Sequence, residues 1–251
     1  MAGPVEKHLL NCIQEEGAIH LTLIDPEKVT PTSALHLAEK AEEYKTTAIM
    51  VGGSTSVSTA HLDDIIKTMK HNISVPIILF PNNVSGISKY ADAIWFMSLL
   101  NSTDPYFLVG AQILGAPIVK RSGLEALPLG YIIVGDGGTA RVVGRAAPIP
   151  YKKPELASVY ALTAQYLGMR FVYLEAGSGA SQPVPPVMIG AVKETIDIPL
   201  IVGGGIRNAE QAKTAVVSGA DIIVTGNITE EKGASIEFKR LVTTVRKNTH
   251  N

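Results

Sequence analysis

PLIVGGGIRNAEQAKTAVVSGADIIVTGN, residues 199–227, decides how the rest of the chain is to be read. An apolar run ends in three glycines. A segment with apolar residues at three- and four-residue spacing follows, then a second apolar run that again ends at a glycine. Runs that are apolar on both faces suit parallel strands covered by helices, and the segment between them has a helical period. The stretch is therefore a β–α–β unit whose turns after each strand are glycine-bearing.

The same unit recurs in both directions. Strand-like runs at 18–24, 47–51, 75–80, 93–100, 130–135, 170–176, 199–205 and 221–226 alternate with helical patterns at 33–45, 61–72, 105–120, 155–168, 185–196 and 208–219. Eight strands with helices between most of them predict an α/β fold, a single (β/α)8 barrel domain over residues 1–251 with no linker. Two segments break the rhythm. PNNVSGISKYAD (81–92) is too short and too rich in turn residues for a third helix, so the barrel is predicted to be modified there, with irregular structure in its place. DGGTARVVGRAAPIP (136–150) reads as a long loop after the fifth strand.

Bulk composition narrows the function. Hydrophobic residues make up 46% of the chain and charged residues 18%, enough for a sizeable core, while a net charge of -1 offers no basic field for nucleic acid. The single cysteine, Cys12, supports neither an internal disulfide nor a metal cluster. No apolar stretch reaches the roughly 18 to 20 residues that cross a bilayer, and MAGPVEKHLL lacks a secretory layout. A cytoplasmic protein is expected, with any membrane contact peripheral.

In a barrel the chemistry sits where the strands end. The turns after strands six, seven and eight read EAGSGA, GGGIRN and GNITEE. Glycine-rich turns let backbone N–H groups approach phosphate oxygens, and a helix start adds partial positive charge. Ser178, Gly179, Gly204, Gly205, Gly226 and Asn227 are thus the expected phosphate site. Arg207 either assists it or simply starts a helix. On the other side of the mouth, Asp25 in LTLIDPEK and Ser54 in VGGSTS offer a carboxylate and a hydroxyl. That is sparse for Mg²⁺ alone but suits Mg²⁺ carried by a diphosphate; an N-cap role for Asp25 is the bland alternative. Tyr173 and Glu175 share one face of their strand. Glu175 can accept hydrogen bonds from a phosphorylated polyol or take its proton, and Tyr173 either joins it or is a core aromatic. The histidines show no ligand spacing; His20 is read as able to face the barrel interior, and Trp95 as wall or interface.

HLTLIDPEK, VGGST, ILFPNN, SLLNSTDPYFLVGAQ, GYIIVGDGGTARVVG, YLEAGSGA, VGGGIRN and TGN, in this order, resemble the geranylgeranylglyceryl phosphate synthase family and its heptaprenylglyceryl phosphate relatives, over nearly the whole chain. The resemblance implies a prenyltransferase of archaeal-type ether-lipid synthesis that joins sn-glycerol 1-phosphate to a polyprenyl diphosphate, read as geranylgeranyl, with Mg²⁺. It carries the Mg²⁺ contacts onto Asp25 and Ser54. It carries the glycerol phosphate contacts onto Tyr173, Leu174, Glu175, Ala176, Gly177, Ser178 and Gly179, with Gly204, Gly205, Gly226 and Asn227. A homo-oligomer is implied, with Trp95 or Tyr106 as interface candidates, and the prenyl chain is placed on the side of the missing helix. Asn82 stands where the family often has glycine, and asparagine tolerates positive φ. The residues also leave open a phosphosugar isomerase or cyclase barrel, with Asp25 and Glu175 as its acid–base pair, and a phosphate-ligand-binding barrel without turnover.

Overall fold

The computed structural model describes residues 2–53, 58–226 and 236–247. Eight parallel strands close into a barrel in sequence order: β1 (Ile19–Ile24), β2 (Ala48–Val51), β3 (Ile77–Leu79), β4 (Ala93–Leu99), β5 (Glu125–Ile133), β6 (Phe171–Glu175), β7 (Leu200–Gly203) and β8 (Ile222–Thr225). The helices are α1 (Pro4–Glu16), α2 (Pro31–Glu43), α3 (Thr59–Lys70), α4 (Ala111–Ser122), α5 (Gly138–Val143), α6 (Pro154–Tyr166), α7 (Pro186–Lys193), α8 (Ala209–Val217) and α9 (Ile236–Lys247). The predicted (β/α)8 barrel is the one observed.

Alternation along the strands sorts side chains into two layers. Leu21, Met50, Ile78, Trp95, Leu129, Phe171, Tyr173, Ile201 and Val224 fill the barrel, and Val5 and Leu9 of α1 close its floor. The opposite strand faces pack under the helices. Trp95 is fully buried at 5.1 Å from the Phe171 ring, so it is barrel core rather than wall or interface. His20 is also fully buried but faces outward: its ring meets Phe238 of α9 and Thr46 and Thr225. Period two explains the correction, because Ile19 and Leu21 take the interior positions of β1.

Two departures from the sequence reading lie in and just after β5, whereas the irregular segment predicted in place of a third helix is present. β5 begins at Glu125 rather than 130, in spite of Pro128. Pro128 accepts from the Arg170 amide, on the β6 side, and β5–β6 pairing starts only at Leu129 and Phe171. The missing proline donor therefore falls below the start of the neighbouring strand, where no ladder bond is lost. The loop after β5 contains a short helix, α5. Between β3 and β4 there is only a 3₁₀ turn, Val84–Gly86, held by Asn83, whose side-chain oxygen accepts from the Ser85 amide at 2.8 Å. Asn82 does not adopt positive φ, so asparagine costs nothing there.

The missing helix changes the wall. β3 pairs with β4 through only two residues, Ile78 with Ala93 and Leu79 with Ile94, whereas β4 and β5 pair through seven. Beyond Leu79 and Ile94 the two strands part, and the barrel has a seam.

Candidate active site

A cavity of about 210 Å³ opens at the C-terminal end of the strands. One side is glycine turn, one is carboxylate and lysine, and between them an apolar arm runs out through the seam.

Tyr173 and Glu175 stand side by side on the interior face of β6, in register with Ile201 and Gly203 of β7. Room for the phenol comes from Gly203, where a Cβ would lie 2.1 Å from the Tyr173 hydroxyl. Glu175 is buried and its Oε1 accepts from the Gly177 amide at 2.6 Å. Burial raises the Glu175 pKa, and hydrogen bonds from the Tyr173 hydroxyl and the Gly177 amide oppose that rise. Tyr173 is held well above the usual phenol range by burial, by the Glu175 and Tyr131 charges and by donating to Glu175. The pair is thus a carboxylate already bonded by two donors and able to accept a further proton from the mouth. The phenol is core-buried and also wired to Glu175, so both readings of Tyr173 meet in one residue.

The turns above them fold as the glycine pattern requires. Gly204 has φ +82°, and a Cβ on it would lie 2.4 Å from Glu175 Oε1. Both constraints admit only glycine. The β5 turn packs directly on the β6 turn: the Gly137 amide donates to the Ala176 carbonyl at 3.0 Å, and a Cβ on Gly177 would meet the Gly138 amide nitrogen at 2.4 Å. Asn208 caps α8 through the Gln211 amide. Arg207 ties two turns together, its Nη2 donating to the carbonyls of Gly179 at 3.3 Å and Ala180 at 2.9 Å.

Ser178, Gly179, Gly204, Gly205 and Gly226 all line the cavity with Tyr173 and Glu175. Leu174 and Ala176 do not: on the other face of the strand, they pack into the helix layer and reach the site only through backbone. Gly177 lies beneath the cradle as donor to Glu175. Asn227 and Ser54 lie outside the described residues.

Asp25 follows β1. Its turn is shaped by hydrogen bonds from the Glu27 amide to Oδ1 and from the Lys28 amide to the Asp25 carbonyl, both at 3.1 Å. Asp25 thus caps the turn that follows it, the bland role open to it, while no helix starts there. Gly53 leaves space for it, since a Cβ there would lie 2.6 Å from Oδ1. In the closed ring β2, which carries Gly53, lies four strands from β6, which carries Glu175. The described residues hold no group of three His, Cys, Asp or Glu that would bind a metal by itself. One partly buried carboxylate in a polar corner does fit Mg²⁺ that keeps waters and arrives with a phosphorylated ligand.

Two features were not found from the sequence. Tyr131, in register with Tyr173, completes an aromatic cluster with it and Phe80. The period-two reading of GYIIVG places it inside the barrel, but nothing in the run distinguishes it from packing. Ile87, Ile94, Phe96, Gly115 and Val119 line the apolar arm beyond the seam. That arm is assembled from segments far apart in the chain.

The PcrB family model matches residues 11–246. The chain belongs to the PcrB family. Relatives in that family include the geranylgeranylglyceryl phosphate synthase of Thermofilum pendens, 55% identical over 92% of this chain and 90% of that protein. The enzyme of the same name from Thermococcus kodakarensis is 55% identical over 95% and 94%. Among solved structures, the (S)-3-O-geranylgeranylglyceryl phosphate synthase of Thermoplasma acidophilum, in complex with sn-glycerol-1-phosphate, superposes with a TM-score of 0.93 at 40% identity, covering 98% of this chain and 99% of that one. As a PcrB-family barrel, the chain shares its whole architecture with a protein that binds a polyol phosphate.

Proposed function

We propose that the chain joins one of the two hydroxyls of sn-glycerol 1-phosphate to C1 of geranylgeranyl diphosphate, forming the first ether bond of archaeal-type lipids and releasing diphosphate. One observation carries this most directly. A buried carboxylate beside a glycine phosphate cradle is connected to a carboxylate corner on the opposite strands, and an apolar arm leaves between them through a gap in the wall. Two phosphorylated ligands, one with a long hydrocarbon tail, use every part of that shape. An isomerase would leave the arm without an occupant.

The backbone of Ser178, Gly179, Gly204, Gly205 and Gly226 holds the glycerol phosphate, with Tyr173 and Glu175 of β6, and Asn227, completing the assignment. Glu175 receives the proton of the attacking hydroxyl. As the C1–O bond breaks, its electron pair leaves with the diphosphate, and the positive charge developing on the allylic carbon faces the Phe80, Tyr131 and Tyr173 rings. Asp25 and Ser54 are the residues assigned to Mg²⁺, which when bound supplies Lewis-acid neutralisation of the leaving group.

No helix among the described residues is long and apolar enough to cross a membrane. A cytoplasmic enzyme with peripheral membrane contact belongs to this reading, as does a homo-oligomer. Val109 just before α4 and Ile113 and Leu114 near its start, exposed by 53%, 65% and 57%, support the latter. Radiolabelled sn-glycerol 1-phosphate, Mg²⁺ and a ladder of prenyl diphosphates test the core of the proposal. Butanol-extractable label that EDTA abolishes and one chain length maximises is the expected result; bound glycerol phosphate without transfer from any donor would refute it.

A further inference from the structure

Among the described residues, two side chains lining the cavity are cationic, Arg207 at the glycine turns and Lys28 at the Asp25 corner. Arg207 is engaged with two backbone carbonyls. Lys28 is placed differently. The turn after β1 folds it back so that its Nζ lies 3.6 Å from Asp25 Oδ2, while half of its side chain stays exposed. An ion pair this open to water is weak and exchanges readily.

The charges at this corner do not balance without it. A diphosphate brings several negative charges beside the Asp25 carboxylate, and one divalent cation leaves an excess of negative charge that grows as the leaving group departs. A lysine ammonium is compact, carries three donors and binds phosphate as a point charge. Lys28 is where such a charge is needed, and it is tethered to the residue assigned to the metal.

We propose that Lys28 is a catalytic residue of the leaving-group end that changes partner during binding. Its ammonium neutralises Asp25 until magnesium diphosphate arrives; the carboxylate then turns to the cation and the ammonium donates to diphosphate oxygens. No proton moves from Lys28. The electron pair released from the C1–O bond settles on an oxygen that the ammonium already faces. The exchange also makes the cation and the diphosphate bind together, because Mg²⁺ alone must compete with the ammonium for Asp25. This inference rests on the transferase reading above.

Titration calorimetry on the full chain tests it, with Mg²⁺ alone, magnesium with inorganic diphosphate, and sn-glycerol 1-phosphate as probes. Lys28→Ala, on an exposed turn, is first shown to melt as wild type does. It is expected to bind magnesium diphosphate about tenfold or more weakly, reflecting a lost charge-assisted contact. It is also expected to bind Mg²⁺ alone more tightly than wild type and to leave glycerol phosphate affinity unchanged. Lys28→Arg should restore most of the diphosphate affinity. Unchanged magnesium diphosphate affinity in Lys28→Ala, or Mg²⁺ binding that is not tightened, overturns the exchange while leaving the transferase reading intact. Wild-type protein that binds glycerol phosphate and no magnesium diphosphate overturns both.

Discussion

The Tyr173 hydroxyl donates to the carboxylate of Glu175, two residues along the same strand face. That bond stabilises the ionised form of a group whose burial pushes it the other way. Tyr173→Phe removes the opposing effect, so the Glu175 pKa rises further. Because Glu175 must be ionised to take a proton, the acid limb of the pH–rate profile should move to higher pH. Glu175→Gln should lower transfer by well over tenfold; a loss below that, roughly 1.4 kcal/mol, would remove Glu175 from the role of base.

Gly204→Ala meets two obstacles, a φ of +82° and a contact of 2.4 Å with Glu175 Oε1. Strain on the order of 1–3 kcal/mol is expected, felt in glycerol phosphate binding. The KM for glycerol phosphate should rise at least tenfold with the KM for prenyl diphosphate almost unmoved. Equal effects on both would place the turn outside the phosphate cradle.

His61 of α3 bridges the base of the Asp25 turn, its Nε2 lying 3.2 Å from the Pro26 carbonyl and 3.1 Å from that of Val29. Both partners are carbonyls and only accept, so Nε2 carries the hydrogen. His61→Leu should cost about 1 kcal/mol of local order, read as a several-fold higher Mg²⁺ requirement at unchanged glycerol phosphate KM. Asp25→Asn should raise that requirement far more. Magnesium dependence that neither variant alters would remove this turn from the metal site.

Gly115 faces Ile87 across the apolar arm, where a Cβ would stand 3.4 Å from Ile87 Cδ1. Leucine there overfills the arm. Gly115→Leu should raise the KM for geranylgeranyl diphosphate about tenfold and spare shorter donors; steady-state kinetics with both donor lengths decides it.

His20 is buried among neutral partners and its pKa is lowered to about 3 by desolvation. Thr46 Oγ1 already donates to the His20 carbonyl, so the hydrogen between Thr46 and the ring belongs to Nδ1, and Nε2 accepts from Thr225. The unfolded chain takes up a proton near pH 6.5 and the folded chain near 3. Stability is therefore full above pH 6.5 and falls as pH drops toward 3, by roughly 5 kcal/mol at most. Urea unfolding between pH 7 and 4 should show that slope, and His20→Asn should flatten it; an equally steep slope in the variant would assign acid lability to other groups.

The barrel was legible because strand and helix periods alternate so regularly, and the glycine turns that line the cavity were legible because glycines recur after successive strands. Asp25 and Glu175 sit at strand ends, where position alone marks them, and Tyr173 is marked by sharing the strand face of Glu175. What escaped depends on neighbours distant in sequence. Pro128 hid the first half of β5 because its tolerance depends on where β6 begins. His20 fell on the outer face because strand parity is set by Ile19 and Leu21. Nothing in the sequence singles out Lys28, and only the turn that returns it to Asp25 distinguishes it. The terminal helix α9 follows a stretch without strand punctuation and was not read at all.

A seam beside β4 also bears on how a hydrocarbon substrate gets in and out. In a barrel whose strands pair along their full height, a twenty-carbon tail would have to be threaded end-first through a mouth crowded with phosphate ligands. With β3 and β4 paired through only two residues, the proposed reaction would let the tail be laid in laterally above them while its head settles at the Asp25 corner. In the proposed reaction the product, once its ether bond has formed, would lie across the threshold, polar head inside and tail already outdoors. It can then slide away sideways toward an apolar acceptor surface without the charged end being dragged through oil or the oily end through water.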